Sequence, residues 1–169
     1  PALITVQPTI ILSVPLVIEK IYRNKILGQI NKKSVTRFLY KIAPLRKKMN
    51  AVAGKKLMET FGGKLRLFCI GGSALAEDVE RFLIEGHFPY SFGYGLTETS
   101  PLVTGTDNLK VRFRSAGPPL DGIKIKIDNP DNDSGDGEVL ISGPSVMSGY
   151  YKDPEETDKV LQKDGWFRS

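Results

Sequence analysis

Phe92-Gly93-Tyr94-Gly95-Leu96-Thr97-Glu98-Thr99-Ser100-Pro101 is the stretch whose residue types and spacing could do chemistry. Glycine permits tight turns and close backbone approach. Two glycines flank an aromatic ring here, and a Thr-Glu pair follows. Such a run can set a flat ring, a hydroxyl and a carboxylate around one small ligand. The same residues also suit a plain strand-to-helix turn, with the tyrosine packed and the glutamate in water. The neighbouring elements must decide between the two.

A second glycine turn precedes it. Leu65 to Ile70 reads as a short buried strand, followed at once by Gly71-Gly72-Ser73-Ala74-Leu75. A helix then resumes with Glu77 and Asp78 in its first turn and Val79, Phe82 and Leu83 spaced for burial, with Ser73 as the expected N-cap. Strand, glycine turn and helix is the arrangement in which αβ proteins hold ligands beyond the carboxyl ends of parallel strands. The turn is neither a Walker loop nor a dinucleotide fingerprint, and Ser73 lacks the Gly-x-Ser-x-Gly setting of a hydrolase nucleophile. His87 is the single histidine and Cys69 the single cysteine, so zinc and Cys/His catalysis have little to work with.

Upstream, residues 9–14 read as a strand and a helix starts at Pro15. Residues 26–60 read as helical pieces divided near Pro44 and Gly54. Lys20, Arg23, Lys25, Lys32, Lys33, Arg37, Lys41, Arg46, Lys47, Lys48, Lys55 and Lys56 form a tract without acidic residues, 12 of the 24 basic side chains. This tract suits either a solvated helical face or an anionic surface. Without zinc-finger spacing or interleaved aromatics, nucleic acid is not an expected partner. After about Gly105, helical periodicity gives way to strands. Ile123 to Asp128 alternates, and Glu138 to Ser142 should pair with it across the turn-rich loop 129–137. That loop fails the EF-hand spacing, because Ser134 and Gly143 fall where ligands are required. Asp153, Pro154 and Glu156 mark the start of a short helix near 154–162.

The length of 169 residues, 40% hydrophobic and 25% charged with net charge +5, is that of a folded domain. No run approaches the about 20 apolar residues that span a bilayer. The lone cysteine suits a reducing compartment. A cytoplasmic protein, at most peripheral to a membrane, is expected. Pro1 and the apolar Trp166-Phe167 close to Ser169 suggest an internal fragment of a larger protein.

The order of the blocks is more informative than any one of them. Gly71-Gly72-Ser73-Ala74-Leu75, Gly93-Tyr94-Gly95-Leu96-Thr97-Glu98-Thr99, Gly137-Glu138-Val139-Leu140-Ile141-Ser142-Gly143, Gly149-Tyr150-Tyr151-Lys152-Asp153-Pro154-Glu155 and Gly165-Trp166-Phe167-Arg168 resemble the adenylate-forming (AMP-binding) superfamily. Ser13 to Tyr22, the basic insertion and Gly95 to Pro101 look most like its long-chain fatty acyl-CoA ligases. The resemblance implies a ligase of fatty acid and lipid metabolism that uses ATP and Mg²⁺ to form an acyl-adenylate, then transfers the acyl group to coenzyme A. A relative that adenylates a medium-chain, aromatic or amino acid is the alternative, and a non-catalytic module for anionic membrane surfaces is a third reading. By resemblance, Gly72, Ser73 and Ala74 lie against the adenine, which Tyr94 stacks between the close-approach positions Gly93 and Gly95. Thr97 contacts the α-phosphate, Glu98 holds Mg²⁺, and both serve catalysis. The acyl chain would run near Gly71 and Leu102.

Two departures stand out: the block Arg114-Ser115-Ala116-Gly117-Pro118-Pro119-Leu120-Asp121-Gly122 carries an arginine and an aspartate the family pattern lacks, and Ser169 replaces the usual threonine. A phosphate loop and a catalytic lysine are missing from the stretch, so the chain alone is expected to be inactive. The expected fold is α/β: a partial three-layer parallel-sheet subdomain over 1–105, with the basic helical insertion at 20–60, followed by part of a distorted β-barrel over 106–169. Exposed edges of such a fragment would favour a dimer.

Overall fold

The apolar runs around Ile11, Phe68 and Tyr90 pair side by side, and this pairing organises the first half of the chain. In a computed structural model, residues 2–107 and 110–169 are described. Strands β1 (Ile10–Ser13), β2 (Leu67–Ile70) and β3 (Tyr90–Tyr94) run parallel in that order. All three strands expected from the sequence are present. Beyond Phe92, β3 pairs antiparallel with β4 (Thr104–Gly105), Gly93 opposite Gly105 and Tyr94 opposite Thr104.

By packing, the chain divides into two units, 1–92 with 106–115, and 93–105 with 116–169. In the first unit, α1 (Ala2–Val6) precedes β1, and α2 (Pro15–Ile21) follows it with proline in its first turn. A wide π-turn at Tyr22–Leu27, α3 (Gly28–Asn31), α4 (Ser34–Tyr40) and α5 (Ala43–Thr60) come next. Ile18, Tyr22, Ile26, Leu57, Phe61, Phe68, Phe82 and Phe88 fill the core. Phe61, Phe68 and Phe88 meet with ring centroids 5.5 to 5.8 Å apart, a spacing that favours tilted and edge contacts. Helix α6 (Glu77–Glu85) buries Val79, Phe82 and Leu83 as its spacing requires.

The expected break at Gly54 does not occur. Helix α5 starts at the proline but continues through the glycine, which is buried against Gly86. Nor does Ser73 cap α6. The N-cap is Ala76, whose backbone N–H donates to the Glu19 carboxylate at 2.9 Å.

In the second unit, β5 (Lys124–Asp128) and β6 (Glu138–Ser142) form the expected hairpin, and β7 (Phe167–Arg168) pairs with β6. The connecting loop 129–137 is exposed throughout, with Asp131 accepting backbone bonds from Asp133 and Ser134. Helix α7 (Pro154–Val160) begins as read, the Asp153 carboxylate accepting from Glu156 N–H at 3.0 Å.

The barrel expectation is overturned. The sheets are one of four strands and one of three, both open, and β5-β6-β7 closes on nothing. Alternation of apolar residues specifies a sheet with one buried face; it carries no information on closure, which depends on strand number and stagger.

Candidate functional site

In the first unit, Gly72, Ser73 and Ala74 form an exposed bridge between two fixed ends. On one side, Gly71 N–H reaches Ser13 O at 3.3 Å. On the other, Leu75 is buried, and its carbonyl accepts from Arg114 Nη1 at 2.7 Å. Gly72 sits at φ 95°, a left-handed conformation that glycine adopts readily. Arg114 also donates its backbone N–H to the buried Glu80 carboxylate at 3.1 Å. This arginine is one of the residues at which the sequence departs from the resemblance noted above, and it fastens the end of the glycine turn. Sequence reasoning missed that role because its partners lie 34 and 39 residues away.

In the second unit, Gly93 to Ser100 is a strand end that turns sharply. A Cβ at Gly95 would stand 1.8 Å from the Pro101 carbonyl oxygen, so only glycine fits. Tyr94 is fixed at both ends. Its carbonyl accepts from Val103 N–H at 2.9 Å, and its hydroxyl donates to Ser169 Oγ at 2.7 Å. Ser169, the second departure, thereby holds the ring through a hydroxyl that threonine also possesses.

Thr97–Thr99 is a single 3₁₀ turn. Fully buried Thr99 closes it, its Oγ1 lying 3.0 Å from both Leu96 N and Leu96 O. This leaves Thr97 exposed and Glu98 half-buried. The Glu98 carbonyl accepts from Met147 N–H at 2.8 Å, and Tyr150 Oη donates to Glu98 Oε1 at 2.9 Å. That bond to the carboxylate, more than burial or charge, raises the Tyr150 pKa above its ordinary value and keeps it a donor. Tyr150 is held in turn, its backbone N–H donating to Thr157 Oγ1 at 2.9 Å. Its neighbour Tyr151, by contrast, is 88% exposed.

Of the residues expected to act together, Tyr94, Thr97 and Glu98 lie on one continuous strand and turn between Gly93 and Gly95 and the closing Thr99. Gly72, Ser73 and Ala74 belong to the other unit. Leu102 is exposed, and its Cδ1 would lie 2.6 Å from a Cβ on Gly93. His87 sits in an exposed turn at φ 52°, and burial pushes the Cys69 thiol pKa up, away from reactivity. Among the described residues, no three His, Cys, Asp or Glu side chains cluster to hold a metal. Glu98 therefore offers one carboxylate with Oε2 free of hydrogen bonds among the described residues. This fits an ion such as Mg²⁺, which binds through one or two carboxylates plus substrate phosphates.

Residues 2–151 match the AMP-binding enzyme family. Long chain acyl-CoA synthetase 7, peroxisomal, of Arabidopsis thaliana is 32% identical over 96% of the chain and 26% of its own length. Long-chain-fatty-acid–CoA ligase 4 of Saccharomyces cerevisiae is 32% identical over 96% of the chain and 25% of its own length. The chain thus spans about a quarter of the length of these curated relatives. Among solved structures, apo MatB from Rhodopseudomonas palustris shares the fold with a TM-score of 0.65 at 21% identity, covering 98% of this chain and 28% of that one. O-succinylbenzoate coenzyme A synthetase from Bacillus subtilis, in complex with ATP and magnesium ion, does so with a TM-score of 0.62 at 19% identity, covering 96% and 28%. The chain belongs to the AMP-binding enzyme family, the adenylate-forming superfamily that includes acyl-CoA ligases.

Proposed function

We propose that the protein carrying this chain is an acid–thiol ligase. It joins a carboxylate to the α-phosphate of ATP with loss of pyrophosphate, and then passes the acyl group to the thiol of coenzyme A. Glu98 supports this reading best: a half-buried residue on a turn closed by Thr99, with one carboxylate oxygen held by Tyr150 and the other without a hydrogen bond among the described residues. In this reading Glu98 holds Mg²⁺, which when bound screens phosphate charge. Thr97 directs its exposed hydroxyl to the α-phosphate, and Tyr94 stacks on adenine beside the close-approach positions Gly93 and Gly95. The backbone of Gly72, Ser73 and Ala74 borders the base.

Replacing Glu98 by Gln in the complete protein tests the assignment. Loss of a group that stabilises developing charge costs about 10²–10³-fold in rate, so acid-dependent ATP–pyrophosphate exchange should fall by that order. Exchange at the unaltered rate would remove Glu98 from the site. Two readings of the acid follow. The names of the curated relatives favour a long-chain fatty acid. The solved synthetase named for succinylbenzoate gives a reason to test an aromatic acid, alongside a medium-chain or amino acid. The exchange assay across fatty acids of graded length, o-succinylbenzoate and amino acids separates them: exchange confined to the long chains sustains the first, and exchange with any other acid class in their place sustains the second.

A further inference from the structure

Helix α4 is turned by its polar contacts so that Val35 and Phe38 face outward. Tyr40 Oη donates to Asn50 Oδ1 at 2.9 Å and lies 3.4 Å from Tyr22 Oη. Thr36 Oγ1 reaches Ile30 O at 2.6 Å. These bonds set the side bearing Thr36 and Tyr40 inward. At 3.6 residues per turn, Val35 and Phe38 then share the opposite face. They are 68% and 66% exposed, and Ile42, just past the helix end, is 39% exposed. Arg37 and Lys41 stand along this face, and Lys32 and Lys33 precede it, all exposed. Ion pairs within the Lys20–Lys56 tract, among the described residues, involve Arg23 and Arg46, so these four cations have no carboxylate partner.

We propose that this face, Val35, Phe38 and Ile42 flanked by Lys32, Lys33, Arg37 and Lys41, docks on the surface of an anionic lipid bilayer. Charge complementarity selects the occupant. The unpaired cations call for a dense anionic array, and the apolar residues between them call for hydrocarbon within a side chain's depth of that array. A leaflet containing acidic headgroups supplies both at that spacing. Nucleic acid supplies phosphate but gives Val35 and Phe38 no apolar phase. No helix among the described residues is long and apolar enough to cross a membrane, so the contact is interfacial and reversible. It stands independently of the ligase reading.

Co-sedimentation of the full chain with vesicles of phosphatidylcholine alone, or with phosphatidylserine added, tests this. Binding is expected with phosphatidylserine only, weakening as salt shortens the reach of the charges. Each of Lys33→Gln and Lys41→Gln should lower the partition coefficient about fivefold. Val35→Ser with Phe38→Ser should lower it at least as much, with thermal melting unchanged because both side chains are exposed. Lys163→Gln, outside the tract, should change nothing. Equal binding to phosphatidylcholine, or binding indifferent to both sets of substitutions, would overturn the proposal. So would self-association abolished by Phe38→Ser, or capture of the chain from the vesicles by duplex DNA.

Discussion

Glu85 shows how one side chain can fix a fold without touching the site. Its side chain is 8% exposed, and its carboxylate takes a forked contact from Arg46 and a 2.7 Å bond from Asn50 Nδ2. Burial pushes its pKa up, but the bonds from Arg46 and Asn50 and the Arg46 charge outweigh it and hold it below the ordinary carboxylate range. A depressed folded-state pKa adds stability above the unfolded value of about 4.3, and that stability disappears as pH falls through the folded value. Resistance of the chain to urea should therefore fall in acid, and Glu85→Gln should flatten this part of the profile. Glu85→Ala leaves Arg46 and Asn50 without their acceptor and should cost about 3 kcal/mol at neutral pH. None of this was legible in the sequence, where Glu85 is one more polar residue near a helix end and its partner lies 39 positions earlier. Val79, Phe82 and Leu83 on the same helix were legible, because burial there follows local spacing.

At the scale of elements, α5 meets the end of α6 through two glycines. A Cβ on Gly54 would stand 2.1 Å from the Gly86 carbonyl oxygen. Alanine is favoured over glycine inside a helix by about 1 kcal/mol, whereas forcing a methyl into a filled contact costs about 1–3 kcal/mol or more. With backbone as the obstacle, the clash should prevail, and Gly54→Ala should lower the urea midpoint of the first unit. An unchanged or raised midpoint would show that the helices can separate freely. From the sequence, Gly54 reads as a break, because the rule for glycine in helices is local and the reason for this one is tertiary. Pro15, Pro44 and the Asp153 cap were read correctly for the converse reason, since a helix start is decided within one turn.

For the molecule as a whole, strand order was legible and closure was not. Three parallel strands and a hairpin follow from apolar runs and turns, while the barrel expectation fell to an open three-stranded sheet. Likewise residue type alone made the Tyr94–Glu98 segment a candidate, whereas the bonds that Tyr150 and Ser169 give that segment, and the bond that Arg114 gives the glycine turn of the first unit, emerged only from the fold. The first sheet ends on β1, where Leu12 is 81% and Ile10 56% exposed. An exposed apolar edge strand invites pairing with other chains. Leu12→Lys should reduce concentration-dependent light scattering by the chain while leaving its melting temperature within about 2 °C, the shift of a near-neutral surface substitution. Scattering unchanged by the substitution would exonerate the edge.

The crowding at Gly95 bears on how variation in this protein is to be weighed. The Pro101 carbonyl alone forbids a side chain there, whether or not a nucleotide is ever bound. In a saturation library selected only for solubility, position 95 should return glycine, while Thr97, exposed beside it, should drift freely until selection for catalysis is applied. Retention of glycine at 95 would then record folding alone, and retention of threonine at 97 only under selection for catalysis would support the role proposed for it.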